Sequence, residues 1–234
     1  MKALAELHCH TTFSDGFGSP ETCIAWARGK GLQVIAITDH NTAEGALPYW
    51  EKSYHEGIIV IPGEEVGTEL GHVLVYFIRK TIQPGLFEEV IMEVKDQGAI
   101  AFLAHPYRIP LGKIWRKRPI CKLNKGHFKH LQGLEIENGR NRPRGNRLAH
   151  YLAEEKKLPA ISGSDAHFLF EIGNNRTELE ISQLSLEAVQ TAMTQGKLRP
   201  FPRRFNTYGL GLLVALRNRL SNHRYEYRSS GSTG

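Results

Sequence analysis

Short apolar runs alternate with helix-patterned segments along most of this chain, and almost every run opens or ends at a histidine or a carboxylate. Ala3–Leu7 leads into His8 and His10, Val34–Ile37 into His40, and Ile58–Ile61 into Glu65. Ala99–Leu103 leads into His105, Leu134–Ile136 contains Glu135 and leads into Glu137, and Pro159–Ile161 leads into Asp165 and His167. Val73–Ile78 is preceded by His72 instead. Several of the runs are β-branched and bounded by Gly or Pro, which marks buried strands. Between them the spacing predicts helices over Ser19–Lys30, Thr42–His55, Pro84–Gln97, Arg144–Lys157 and Ser185–Gln195. Ser19-Pro20-Glu21 gives a cap, a proline and an acid in the order a helix N-terminus favours.

Alternating strands and helices admit a doubly wound sheet or a barrel. Chemically capable groups at the C-terminal ends of many strands favour the barrel. The expectation is a single α/β domain, a distorted (β/α)7 barrel over residues 1–205. A C-terminal basic helix (Tyr208–Leu220, packed on the barrel) and a flexible Gly/Ser-rich tail would fill 206–234. A tight turn at Glu69–Gly71 would send the fourth strand back along the third and bring His72 near Glu65.

The longest apolar stretch, near Leu210–Leu216, falls short of the roughly 20 residues that a membrane span needs. Met1–His10 lacks the apolar core of a secretory signal. Cys9, Cys23 and Cys121 are an odd number at wide spacing, which suits a reducing cytoplasm better than a disulfide framework.

The net charge of +6 is uneven: Pro106–Arg147 holds twelve Lys or Arg against two Glu, a balance of +10, leaving −4 for the rest. In this block Arg108, Lys113, Arg116, Lys117 and Arg118 are interleaved with Tyr107 and Trp115, and charge with stacking surface suits a nucleotide or single strand. Because the block follows His105 directly, it is expected to wall the mouth of a site. Arg108, Arg140 and Arg176 are the expected phosphate contacts, since guanidinium forks match phosphate oxygens, and Asn138 a further substrate contact.

Imidazoles and carboxylates are what divalent transition metals take as ligands. In His8-Cys9-His10 the period-two alternation of a strand puts both imidazoles on one face and turns Cys9 away to pack. Asp39, next to His40, is expected to orient a ligand, and Glu135 or Glu137 either to do the same or to pair with Arg140 or Arg142. His55, His127, His130, His150 and His223 match no motif.

With HCH and a downstream SDG, then TDHN, GEEV with GHVL, AHP and SGSDAH in order over residues 4 to 175, the chain resembles the polymerase and histidinol phosphatase (PHP) superfamily. The resemblance implies a distorted seven-stranded barrel with two to three divalent ions, Zn, Mn or Fe. By motif, His8, His10, Glu65 and Asp165 would bind one ion, a bridging Glu65 with His72 and His105 a second, and Asp15, His40 and His167 a third. Family members often have His at the position of Asp15. The Gly-x-Glu spacing favours Glu65 over Glu64 as the bridge.

The expected reaction is hydrolysis of a phosphate ester by in-line attack of a metal-bound hydroxide, with no side chain assigned as general acid. Three divalent ions less three carboxylates leave +3, which matches a hydroxide and a phosphate dianion. A nucleotide or nucleic-acid end is the expected substrate. Competing readings are a histidinol-phosphate-like small-molecule phosphatase, an amidohydrolase-type C–N hydrolase and a non-catalytic interaction module. The C–N hydrolase would use a strand-end Lys where this chain has Glu65.

Overall fold

The computed structural model describes residues 1–108, 123–201 and 207–220. In chain order they form β1 (Lys2–Glu6), α1 (Pro20–Gly29), β2 (Val34–Ile37), β3 (Tyr54–His55), β4 (Ile58–Thr68), β5 (Gly71–Tyr76), α2 (Phe87–Asp96) and β6 (Ile100–Leu103). There follow α3 (Lys125–Phe128), β7 (Gly133–Asn138), α4 (Pro143–Lys156), β8 (Ala160–Gly163), β9 (Arg176–Glu180), α5 (Leu186–Thr194), β10 (Leu198–Phe201) and α6 (Gly211–Leu220).

The strands form one sheet in the order β10-β9-β1-β2-β4-β5-β6-β7-β8, with β3 on the side of β4. It curls into a barrel that is nearly closed. At the seam a side chain replaces the ladder: Ser162 N–H donates to Thr177 Oγ1 (2.8 Å), and the Thr177 hydroxyl donates back to the Ser162 carbonyl (2.9 Å). β1, β2 and β4 are parallel, as are β6, β7 and β8. β5 runs antiparallel to both β4 and β6, as a turn near Glu69–Gly71 requires.

Strand alternation sorts the apolar side chains into three clusters. Ala3, Ala5, Val34, Ile59, Ile61, Leu74, Phe102, Ile161 and Leu179 fill the interior, and α5 closes it with Val189 and Met193. Outside, α2 and α4 cover Val73, Val75, Leu103 and Leu134. α1 covers Ile35, Ile37, Ile58 and Val60 on the other flank. Cys9 packs in this last cluster, pointing away from His8 and His10 as alternation requires.

The barrel is as expected, but three strands were not foreseen. β9 pairs Thr177 and Leu179 inward with Arg176 and Glu178 on the opposite face, a pattern too polar to stand out as a run. β10 is similarly mixed. β3 replaces the end of the helix expected over Thr42–His55, where only Leu47–Tyr49 makes a helical turn, of 3-10 type. Gly45 sits too close to Phe13 and Asp39 to carry a side chain, and Pro48 removes an amide donor. Glu56 and Gly57, at φ 49° and 90°, then turn β3 onto β4 as a two-residue hairpin. The other four helices lie as expected; Ser19 caps α1 by accepting from Thr22 N–H, and Ser185 caps α5 through Ala188 N–H. No helix among the described residues is long and apolar enough to cross a membrane.

Candidate metal centre

At the C-terminal mouth of the barrel, side chains from loops and strands far apart in sequence meet around Glu65. β4 is eleven residues long, and its second half lifts Glu65 over the interior. One oxygen, Oε1, lies 2.8 Å from both His72 Nδ1 and His105 Nε2. The other, Oε2, lies 3.2 Å from His8 Nε2, 3.3 Å from His10 Nε2 and 3.0 Å from His40 Nδ1. Five imidazoles therefore share one carboxylate. Glu64 points elsewhere, accepting from Ile82 N–H, and burial pushes its carboxyl up to about 8. Of the two, Glu65 is the carboxylate that faces the imidazoles.

His8 and His10 reach the centre because His8-Cys9-His10 continues β1 in extended form. Cys9 N–H donates to Thr38 Oγ1, His10 N–H to the Ala166 carbonyl, and Ala166 N–H to the His8 carbonyl. The SDG turn has a local reason at each position. Ser14 hydroxyl, Thr11 hydroxyl and Thr11 N–H all donate to Asp39, so Asp39 holds this turn. Gly16 lies so close to the His10 carbonyl that a Cβ would stand 2.2 Å from it. Asp15 between them is aimed at His167 Nε2 (3.1 Å), with His10 Nδ1 and His40 Nε2 each 3.8 Å away.

Asp165 completes the set: its Oδ1 lies 3.2 Å from His10 Nε2 and 3.8 Å from His8 Nε2, while Oδ2 accepts from Arg108 (2.6 Å) and Asn138 (3.3 Å). Asn41, His105 and Asp165, all beside or within the cluster, adopt φ of 52°, 25° and 53°. Such backbone typically costs about 1–3 kcal/mol per residue and collects at functional sites.

Among the described residues, three sets of ligand atoms lie close enough to share an ion: His8, His10, Glu65 and Asp165; His10, Asp15, His40 and His167; and His40, Glu65 and His72. All nine residues read from the motifs gather here, with two differences in grouping: His10 also joins Asp15, His40 and His167, and the partner of His72 changes. His40 joins Glu65 and His72, whereas His105 stands on the same Glu65 oxygen outside that set.

The atoms themselves fit metal ions. His8 Nε2, His10 Nδ1 and Nε2, Asp15 Oδ1, Glu65 Oε2 and Asp165 Oδ1 are buried and have no hydrogen-bond partner. A buried polar atom left so costs about 1–3 kcal/mol, and here six converge. Without cations, protons substitute. Burial disfavours a charged His8, but Glu135, Glu65 and Asp165 outweigh it and hold its pKa well above the ordinary value. His10 is likewise held at about 9, its burial overcome by Asp165 and Glu65. Burial alone would raise Asp15, Glu65 and Asp165, yet the surrounding imidazoles, and Arg108 at Asp165, hold all three well below the carboxylate range. Burial lowers His40 to about 3 and also lowers His105 and His167, keeping them in the neutral form that coordinates metals.

Behind the ligands stand residues whose roles the sequence left open or concealed. Glu135 accepts from His8 Nδ1 (2.9 Å), His105 N–H (2.9 Å) and Asn138 Nδ2 (3.0 Å), which fixes the His8 ring. Glu137 instead meets Asn146 and His150. Glu6 accepts from the backbone of His8, Ser164 and Gly173.

Of the expected substrate contacts, Arg108 is a third exposed and opens to the mouth. Asn138 is buried behind Asp165, braced against Glu135. Arg140 is buried and its Nη2 donates to Glu171, whose carboxylate also receives His167 N–H and Phe168 N–H, so it braces the His167 loop. Arg176 shares the face of β9 opposite the interior Thr177 and Leu179. Lys113, Trp115, Arg116, Lys117, Arg118, Cys121 and the 221–234 tail, His223 included, lie outside the described residues. His55, His127, His130 and His150 belong to none of the three ligand sets.

Comparison with known proteins agrees with this geometry. A model of the PHP domain matches residues 6–154, and a PHP-associated model matches 143–198. An uncharacterized protein of Methanocaldococcus jannaschii is 34% identical over 152 residues, covering 59% of this chain and 83% of its own. Two solved structures share the fold at low identity. A two-domain protein from Bacteroides vulgatus, containing a predicted PHP-like metal-dependent phosphoesterase, superposes with a TM-score of 0.70 at 22% identity, over 87% of this chain and 65% of that one. A lesion-specific endonuclease from Pyrococcus furiosus gives 0.62 at 17% identity, over 86% of this chain and 58% of that one. With a family model spanning most of its length and that family's ligand motifs gathered at one barrel mouth, the chain belongs to the PHP domain family.

Proposed function

We propose that this chain, a metal-dependent PHP-domain hydrolase, cleaves phosphate esters of nucleotides or of nucleic-acid ends. The observation that carries the phosphoesterase reading is that six buried imidazole and carboxylate atoms without hydrogen-bond partners gather in one cluster. His8, His10, Glu65 and Asp165 would hold one cation, and His10, Asp15, His40 and His167 another; Glu65 and His72, with His40 or His105, would hold a third. Bound there, divalent ions supply charge neutralisation at a phosphoryl group and an ionised water near neutral pH.

The protein's own groups do the rest. Glu65 fixes the separation of two of the ligand sets by serving both from one side chain, and His10 and His40 link these to the set that holds Asp15. Glu135 holds the His8 ring so that Nε2 faces the cluster. Arg108, paired with Asp165 and a third exposed, would meet an incoming phosphoryl oxygen.

An aromatic ladder beside the cluster supports the nucleotide reading. Phe17, two residues after Asp15, stacks on Phe168, next to His167, with centroids 4.4 Å apart and planes at 11°. Phe168 stacks in turn on Phe170 at 5.5 Å and 17°. Phe17 and Phe170 remain 45% and 44% exposed. Aromatic faces next to a phosphate site suit bases, each stacked base contributing about 1–3 kcal/mol. The endonuclease of similar fold acts on nucleic acid lesions by its name, which accords with this choice.

The test is a hydrolysis panel with Mn, Zn or Fe over nucleotides, short oligonucleotides, histidinol phosphate and p-nitrophenyl phosphate. Turnover concentrated on nucleotides or oligonucleotides, weakened by Phe168→Ala more than turnover of p-nitrophenyl phosphate is, supports the proposal. Preference for histidinol phosphate overturns the substrate class, and no turnover on any member overturns the reaction. Oligonucleotide affinity should also fall steeply with salt.

A further inference from the structure

The C-terminal helix α6 (Gly211–Leu220) follows both family-matched spans, which end at residues 154 and 198. It nevertheless reaches the metal centre. Thr207, just before it, is anchored at the mouth where its hydroxyl donates to the Gly139 carbonyl (3.1 Å) at the end of β7. From there the helix leads to the turn that carries Asp15. Asn218 Nδ2 donates to Asp15 Oδ2 (2.9 Å). Arg217 Nη1 donates to the carbonyls of Asp15 (2.8 Å) and Gly16 (2.6 Å), and its guanidinium lies 4.5 Å from the centre of the Phe17 ring.

This divides the Asp15 carboxylate between two tasks. Oδ2 is tied to α6, and Oδ1, buried and without a hydrogen-bond partner, faces His10, His40 and His167. Asp165 is divided in the same way, with Arg108 and Asn138 on Oδ2 and the imidazoles on Oδ1. In Asp165 the anchor comes from within the barrel, whereas Asp15 takes its side-chain anchor from a helix added after it. A short carboxylate with one oxygen fixed has a defined direction; released, it can rotate its free oxygen out of the cluster. Partners of this kind, which aim a ligand without touching the ion, typically change metal affinity by about 10–100-fold.

We propose that Asn218 and Arg217 are positioning residues of the metal centre: α6 aims Asp15 at the cation shared with His10, His40 and His167, so retention of that ion depends on α6 being docked. The proposal rests on the metal-centre reading above and is independent of which ester is cleaved.

The test is cation binding by the full-length chain with Mn2+ alone, through stoichiometry after dialysis and calorimetric titration, and the visible spectrum of the Co2+-loaded protein. Asn218→Ala and Asn218→Asp should each weaken one class of cation by about 10–100-fold and leave the others at wild-type affinity. The Co2+ spectrum should change by one ion's contribution. Asn218→Gln, which keeps an amide donor, should recover part of that binding. His72→Ala should remove a different class. Chelator-treated Asn218→Ala should keep the wild-type circular dichroism and urea midpoint, which separates aiming from folding. Wild-type stoichiometry and affinity in Asn218→Ala, or an equal loss across all classes, overturns the inference while leaving the metal centre standing. A wild-type chain that takes up no Mn2+, Zn2+ or Co2+ overturns the metal-centre reading itself.

Discussion

Raising the pH of the chelator-treated protein from 6.5 to above 9 should destabilise it, because His10 stands in for a missing cation by carrying a proton. Its imidazole is held at about 9, against 6.5 for the free group, and only 1% of the residue is exposed. Between those values the folded chain keeps a proton that the unfolded chain has released. The stabilisation is therefore complete below pH 6.5 and is lost as the pH climbs through 9. At about 1.4 kcal/mol per pKa unit, the loss from His10 is about 3 kcal/mol. His40 works in the opposite sense. Burial holds it near 3, so below pH 6.5 the unfolded chain takes up a proton that the folded chain refuses, and stability falls with acid. The contributions of His10 and His40 taken together are greatest near pH 6.5. Urea unfolding across pH 5 to 10, in wild type and His10→Gln with chelator present, isolates the contribution as the difference between the two curves. With Mn2+ in excess the alkaline loss should disappear, since the ion displaces the proton. A difference that stays flat from pH 6.5 to 9.5 refutes the reasoning.

Further outcomes follow from individual contacts. Glu135→Gln should lower metal affinity or kcat by about 10–100-fold, because the His8 ring loses its carboxylate partner; titration and steady-state kinetics check this. Gly163→Ala places a Cβ 2.4 Å from His8 Cβ and 2.6 Å from Glu135 Oε1, and should cost about 1–3 kcal/mol in urea unfolding while weakening the cation held by His8. Asp165→Asn and His10→Ala should abolish turnover while keeping the native circular dichroism spectrum. Full activity in either removes that residue from the site.

The barrel was legible from short-range rules, and the nine-residue cluster from those rules together with the resemblance of its motifs to the PHP superfamily. Strand periodicity sends His8 and His10 one way and Cys9 the other, and a turn after Thr68 brings His72 back alongside Glu65. What could not be read is what depends on distant partners. Arg140 looked available for phosphate because nothing near it in sequence announces Glu171, thirty-one residues on, as its buried partner. Glu135 could equally have paired with a neighbouring arginine, until β8 and the β1 extension placed His8 over it. β9 carries too many polar residues to register as a strand, since its inward threonine bonds across a seam instead of packing. Asn218 lies 203 residues from the carboxylate it orients, in a segment that composition marks only as basic. A charged residue inside an apolar run was the one usable clue to a hidden brace: Glu6, in Ala3–Leu7, is buried and holds His8, Ser164 and Gly173 by their amides.

The most direct measurement is an anomalous-scattering map from crystals of the full chain grown with Mn2+. Peaks should lie on either side of Glu65, one within bonding distance of His8, His10 and Asp165 and one within bonding distance of Asp15, His40 and His167. Saturating Mn2+ with no peak against Glu65, or peaks only at carboxylates elsewhere on the surface, would contradict the account.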